Sequence, residues 1–224
     1  MDIKELEKPL NRDNVKERGN GKFKLSYIEG WFSISEANRI FGFDSWYRET
    51  VYCKEVCRYE YEGKNKTPMW KVGYEACVKV TVHQNNGSIP GVVIREGTGH
   101  GSGNARDLFD CIEGAAKEAE TDAMKRALMT FGNPFGLALY DKTQANVASQ
   151  QQMAIMAAID AHQSTITAIK DGIATNDFKI ASEAWKELND DEKKSIWVAP
   201  SNGGAFTTEE RKIMQSTEFR EAGL

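Results

Sequence analysis

Apolar residues fall at helical spacing in 31–42, where Trp31, Phe32, Ile34, Ala37, Ile40 and Phe41 line one side and Gly42 offers a stop. The rhythm then changes to two. From Trp46 to Tyr61 the odd positions include Tyr47, Val51, Cys53, Cys57, Tyr59 and Tyr61, and the even ones Arg48, Thr50, Lys54 and Arg58. From Met69 to Val82, Trp70, Val72, Tyr74, Ala76, Val78, Val80 and Val82 alternate with Lys71, Glu75, Lys79 and Thr81. Alternation of this kind marks strands with one face buried. The segment Glu62–Pro68 between them is turn chemistry, so the two runs predict a long hairpin. After a turn at Asn85-Asn86-Gly87, a third strand is expected through Gly91–Arg95.

The glycines of 97–103 read as a flexible connection from that strand to a helix. Residues 105–131 then form a long helix whose narrow stripe of Leu108, Ile112, Ala115, Ala119, Ala123 and Ala127 suits packing on a sheet. Gly132 and Pro134 end it. The polar stretch Gln144–Gln152 is linker-like. Beyond it the pattern is helical, with capping-box spacing at Asn189/Glu192 and Thr207/Glu210 and a small core available from Trp185, Ile196, Trp197 and Ile213. The expected fold is α+β: a three-stranded antiparallel sheet with a long packing helix (β-β-β-α), plus a C-terminal helical module. The expected division is a core domain over 1–142, a linker over 143–152 and the helical module over 153–224.

Composition changes this picture little. With 40% hydrophobic and 28% charged residues the chain is ordinary for a globular protein. No run reaches the length of a membrane span and the N-terminus lacks a signal peptide's apolar stretch, which points to the cytoplasm. Cysteines 53, 57, 77 and 111 have no zinc or redox spacing and read as buried, reduced thiols. Charge is more informative in its distribution. Residues 1–142 balance at 21 basic and 21 acidic, so the net −4 belongs entirely to the remainder, where 8 basic residues face 12 acidic ones. A neutral domain still binds phosphate if its cations gather on one face.

Four features invite a chemical reading. The hairpin carries Arg48, Lys54, Arg58, Lys71 and Lys79, with Tyr52 among them, on what alternation makes one face. That suits a phosphate backbone, although half-buried strands turn Lys and Arg to water in any case. Lys125 and Arg126 near the end of the long helix complement its dipole, with Asp122 four residues before Arg126. The Gly-rich stretch lacks a Gly-Lys-Ser/Thr ending and is no P-loop. Asp107, Asp110 and Glu113 at spacing three, with His100 nearby, could be imagined as metal ligands, but acids in a first helical turn ordinarily serve the dipole.

Several stretches, in order, resemble the Rad-fifty-two family of single-strand annealing proteins, which has phage members. They are Leu25-Ser26-Tyr27-Ile28-Glu29-Gly30, Ala37–Trp46, Val72–Val80, Gly97-Thr98-Gly99, and Ala116-Lys117-Glu118-Ala119-Glu120-Thr121-Asp122-Ala123-Met124-Lys125-Arg126-Ala127-Leu128 with Phe131-Gly132-Asn133, closed by Tyr140-Asp141-Lys142. The match covers about 18–142. It implies single-stranded DNA binding and ATP-independent annealing in homologous recombination and double-strand break repair, with no chemical step, no cofactor and no metal. It also implies a homo-oligomeric ring or spiral with a cationic groove. Lys125 and Arg126 match the family's inner-groove pair, Arg18 a groove arginine (the loop after it being one residue shorter here), and Lys24 a basic position before the Tyr-Ile-Glu-Gly motif. Arg106 matches a second-site lysine. Met69 stands where the other second-site lysine would be, with Lys71 and Lys66 close enough to substitute, and Met129 replaces a further arginine of animal relatives.

Two other readings remain open at this stage: a metal-dependent nuclease built on Asp107, Asp110 and Glu113, and a protein-interaction scaffold or recombination mediator. The resemblance stops before 153–224. That acidic module is expected to dock a partner, with a single-stranded-DNA-binding protein as the candidate and Lys186, Lys193, Lys194, Arg211 and Lys212 available to its acidic tail.

Overall fold

A computed structural model describes residues 2–19, 24–86 and 89–222, divided into two compact units, Met1–Val147 and Ala148–Leu224. The expected turn at Gly87 and the shortened loop after Arg18 fall partly outside the described residues.

The first unit opens with a short helix α1 (Ile3–Glu7), a two-residue strand β1 (Leu10–Asn11) and a small hairpin of β2 (Val15–Arg18) and β3 (Leu25–Ile28). Helix α2 (Gly30–Phe41) follows and ends at Gly42, whose φ of 93° only glycine adopts without strain. Three long strands, β4 (Trp46–Glu62), β5 (Pro68–Asn86) and β6 (Ile89–Ala105), make one antiparallel sheet in the order β4-β5-β6. Helix α3 (Leu108–Met129) crosses it, started by Asp107, whose carboxylate accepts from the Phe109 and Asp110 amides at 2.8 and 3.0 Å. The α+β fold with its three-stranded antiparallel sheet, long helix and C-terminal helices is therefore the one the alternation predicts.

The core between sheet and helix combines Val78, Val80 and Val82 of β5 with Ala119, Ala123, Met124, Ala127 and Leu128 of α3, sealed by Phe41, Phe131 and Phe135. Each fully buried valine contributes about 1.5–3 kcal/mol. The Leu10, Ile28, Phe32, Ala138 and Val147 side chains form a satellite core that ties the β2–β3 hairpin to the chain after α3.

Two expectations need correction. The glycine stretch is not a flexible connection: β6 continues unbroken to Ala105, and Gly97, Gly99, Gly101 and Gly103 pair with Val78, Ala76, Tyr74 and Val72. Glycines at spacing two all face one side, and there the α3 backbone lies so close that a Cβ would land 2.4, 2.2, 2.1 and 1.9 Å from its atoms. The single cationic face of the hairpin does not exist either. Bulges between Thr50 and Tyr52 and between Glu55 and Cys57 each reverse the facing of β4. Arg48 and Arg58 consequently pair with Val80 and Val72 on the helix side, whereas Lys54, paired with Glu75, shares the outer side with Lys71 and Lys79. The apolar set is split by the same bulges, since Cys53 pairs with Ala76 on the helix side while Tyr47, Cys57 and Tyr59 pair with Thr81, Gly73 and Lys71 on the outer one. The expected burial of the cysteines holds for Cys77 and Cys111 and fails for Cys53 and Cys57, which are exposed on the outermost strand.

The second unit contains α4 (Gln150–Ala161), α5 (Gln163–Ala174), α6 (Phe178–Glu187), α7 (Asp190–Ile196), α8 (Thr208–Gln215) and α9 (Thr217–Glu221). Capping boxes stand at Asn189/Glu192 and Thr207/Glu210, and a third at Ser149/Gln152 makes Gln150–Gln152 the first turn of α4. Ile169, Ile173, Ala181, Ile196, Phe206 and Phe219 centre its core, with Trp185, Trp197 and Ile213 packed on the rim. Among the described residues no helix is long and apolar enough to cross a membrane.

Substitutions at two glycines should have opposite signs. Gly101→Ala forces a methyl against the Ala115 carbonyl and should destabilise the fold by about 3 kcal/mol. Gly114→Ala, with nothing within 4 Å of the new Cβ, should stabilise α3 by up to about 1 kcal/mol. Urea unfolding of the two variants against the wild type checks both.

Candidate nucleic-acid interface

Three cations from two distant stretches of chain meet beside Tyr27. Arg18 ends β2 opposite Leu25 of β3, which brings its guanidinium carbon to 5.8 Å from the Tyr27 ring centroid. Lys125 reaches the same ring from α3, its Nζ also 5.8 Å from the centroid. The ammonium donates to the Ile28 carbonyl at 3.4 Å. Arg126 stands next to it on the helix. These side chains line two adjoining clefts. One, of about 410 Å³, is completed by Ser26, Met129, Leu139 and Tyr140. The other, of about 520 Å³, adds His100, Lys117, Glu118 and Thr121, and Asp122 borders both. Gly30 positions the hairpin against α3, because a Cβ there would come 2.8 Å from the Thr121 methyl.

The charges are not equivalent. Lys125 is half-buried, and burial pulls its ammonium below the usual lysine range, with Arg18 adding repulsion and Asp122 opposing. Arg126 is exposed and donates to Asp122 at 3.0 Å, which raises its pKa further. Asp122 has a second duty: its carboxylate accepts from the His100 amide at 3.4 Å, and Glu118 accepts from the Ser102 amide at 2.8 Å. Both amides lie on the open edge of β6, so acids spaced four apart on α3 cap strand groups that would otherwise invite another strand.

Of the expected inner-groove residues, the structure brings Arg18, Lys125 and Arg126 together. Lys24 is turned elsewhere: it forms an exposed 2.8 Å ion pair with Glu17 and lines neither cleft. The second-site residues gather at the other end of the sheet. Lys71 pairs with Asn104 on β6, two residues before Arg106, and Lys66 sits in the turn at the tip of the hairpin. About 25 Å of α3, from Leu108 to Lys125, lies between the Arg106 end of the helix and the position of Lys125 along it. Tyr27 is the site residue that sequence reasoning passed over, although it lies inside the Tyr-Ile-Glu-Gly motif. Its ring facing two cations is a tertiary fact that no spacing announces.

The metal-ligand reading finds no support. Asp107 caps α3, Glu113 pairs with Lys117, and among the described residues no group of three His, Cys, Asp or Glu side chains stands where it could hold an ion. What the clefts offer is a cationic, aromatic-floored surface suited to phosphate oxygens.

Comparison with known proteins covers the same stretch of chain. Residues 3–155 match the model of the Rad52/22 family double-strand break repair proteins. The DNA repair and recombination protein RAD52 of Eremothecium gossypii is 37% identical over 139 residues, which is 61% of this chain and 29% of that protein. RAD52 of Saccharomyces cerevisiae is 37% identical over 139 residues, 61% of this chain and 27% of the relative. The rad22 protein of Schizosaccharomyces pombe is 36% identical over 140 residues, 61% and 28% of the two chains. The matched stretch spans less than a third of these longer relatives. The family match over residues 3–155 contains the whole β-β-β-α layer and every residue lining the two clefts, and on that ground the chain belongs to the Rad52/22 family of double-strand break repair proteins.

Proposed function

We propose that the first unit binds single-stranded DNA through Arg18, Lys125 and Arg126 and anneals complementary strands without ATP, in homologous recombination and double-strand break repair. The convergence of these three cations around Tyr27 carries the reading. A phosphate backbone held there loses its repulsion for a second strand. Phosphate contacts read no base edges, so the bases stay available and pairing energy drives the reaction. The half-buried ammonium of Lys125 supports the reading, because the fold tolerates a charge that it disfavours. Lys24, held by Glu17 outside the clefts, is left out of this set, and Arg106, Lys71 and Lys66 form the candidate second site. Copies of the unit arranged in a ring or spiral would turn a weak single site into a continuous groove through avidity. The helical unit, which carries the chain's net acidity, serves as a docking module for a partner protein, for which a single-stranded-DNA-binding protein is the candidate.

Three phosphate contacts per subunit give a slope of log K against log salt of about −2 for a single strand. Lys125→Met should flatten that slope by about 0.7 and weaken binding to all sequences alike. The same variant should melt higher. The pKa of Lys125 is depressed in the folded chain, so its ionisation disfavours folding at neutral pH. That penalty is relieved as pH rises from the depressed value toward the ordinary lysine range near 10.4, where the unfolded chain still binds the proton. DNA binding by the wild type should fall across the same window. Salt-titrated anisotropy with a dT oligonucleotide and thermal melting provide the readings, and a variant with unaltered slope would remove Lys125 from the site.

Assembly has its own check. Light scattering of the full chain should give a large oligomer, and a species that stays monomeric while annealing at full rate would contradict the ring.

A further inference from the structure

The helical unit has twelve acids and eight cations beyond residue 147, yet one cleft in it reverses that balance. A hollow of about 300 Å³ opens between α6, the Trp197 segment, α8 and α9, lined by Ser182, Trp185, Lys186, Trp197, Met214, Gln215, Phe219 and Arg220. No acid is in this lining. Two further cations lie on its tryptophans: the Arg211 guanidinium is 4.7 Å from the Trp197 ring and the Lys193 ammonium 5.9 Å from Trp185. Half of the unit's basic residues thus surround one apolar-floored hollow, while Asp177, Glu192 and Glu210 among its acids are engaged in capping helices.

We propose that this cleft binds an acidic peptide segment of a partner protein, with one large apolar side chain of the peptide seated against Trp185, Trp197 and Phe219. This deepens the docking role proposed above by naming the site and the chemistry it accepts. The hollow's volume fits a single aromatic or branched aliphatic side chain. The ring of four cations neutralises carboxylates on either side of that anchor, and a Debye length of about 8–10 Å confines a short peptide to this local field instead of the acidic surface beyond it. A nucleic-acid strand fits less well. Trp185 and Trp197 pack edge-on or tilted against each other and Phe206, at 5.5–6.1 Å, and cations already cover ring faces that bases would need. A long polyanion would also meet the twelve acids. Lys194 and Lys212, counted among the docking cations from sequence, do not line the cleft.

The test uses the full chain and a fluorescein-labelled, aspartate-rich peptide carrying a single phenylalanine. It should bind with a change in tryptophan fluorescence, and replacing its phenylalanine by alanine or its aspartates by lysine should abolish binding. Lys186→Glu/Arg220→Glu, which changes two exposed side chains, should weaken the peptide at least tenfold and leave annealing of naked oligonucleotides unchanged. Met214→Trp, filling the hollow, should weaken it with the cations intact. Absence of peptide binding, indifference to both variants, or displacement of the peptide by a dT oligonucleotide would overturn the proposal. Normal peptide binding by a chain that fails to anneal naked strands would leave the cleft standing and remove the annealing function proposed for the first unit.

Discussion

The packing of β6 directly on the backbone of α3 is the contact on which the first unit depends. Four glycines at spacing two meet a helix stripe of Cys111, Ala115, Ala119, Ala123 and Ala127, and neither partner has a large side chain to hold the other away. This leaves the helix little freedom to rotate or slide, since either motion would drive larger side chains into the strand. Everything else on α3 is therefore set at defined angles. One row over, Glu118, Asp122 and Arg126 follow at spacing four along the edge of β6, where the two acids accept strand amides. Lys125 emerges on the side that meets the β2–β3 hairpin.

That geometry explains why a helix rich in acids supports a cationic cleft. Asp122 is engaged with the His100 amide and with Arg126, and both groups of the ion pair keep a third or more of their side-chain surface exposed. Such a pair contributes less than about 1 kcal/mol, so a phosphate can take the place of the carboxylate on Arg126 at little loss. Lys125 is held differently. The Ile28 carbonyl and the Tyr27 face offer partial compensation for a charge that burial disfavours, and a phosphate entering the cleft supplies the opposite charge that is missing. The two helix cations thus meet a ligand from different starting points, one exchanging a partner and one gaining one.

The architecture was legible wherever periodicity had a single cause. The valine alternation of β5 and the alanine stripe of α3 both report burial on one side, and both elements form where that pattern lies. It failed where a residue pattern had two explanations. Glycines at 97–103 suit a loose connection and a close-packed strand equally, and only the helix above them decides between the two. In β4 two extra residues, inserted as bulges, reverse the facing of Lys54 relative to Arg48 and Arg58, so a straight count of odd and even positions assigned them to one surface. Of the site, Lys125 and Arg126 were recoverable from the family's Lys-Arg pair and Arg18 from its motif. Tyr27 joining them, and Lys24 turning to Glu17, depend on the hairpin's fold.

The central claim is that single-stranded DNA lies against β2, β3 and the C-terminal half of α3. Amide hydrogen exchange of the full chain, with and without a saturating dT oligonucleotide, reads this directly. The account expects slowed exchange in residues 15–28 and 117–130, with the helices beyond residue 162 unchanged. Protection of those C-terminal helices, with residues 15–28 and 117–130 exchanging as in the free protein, would contradict it.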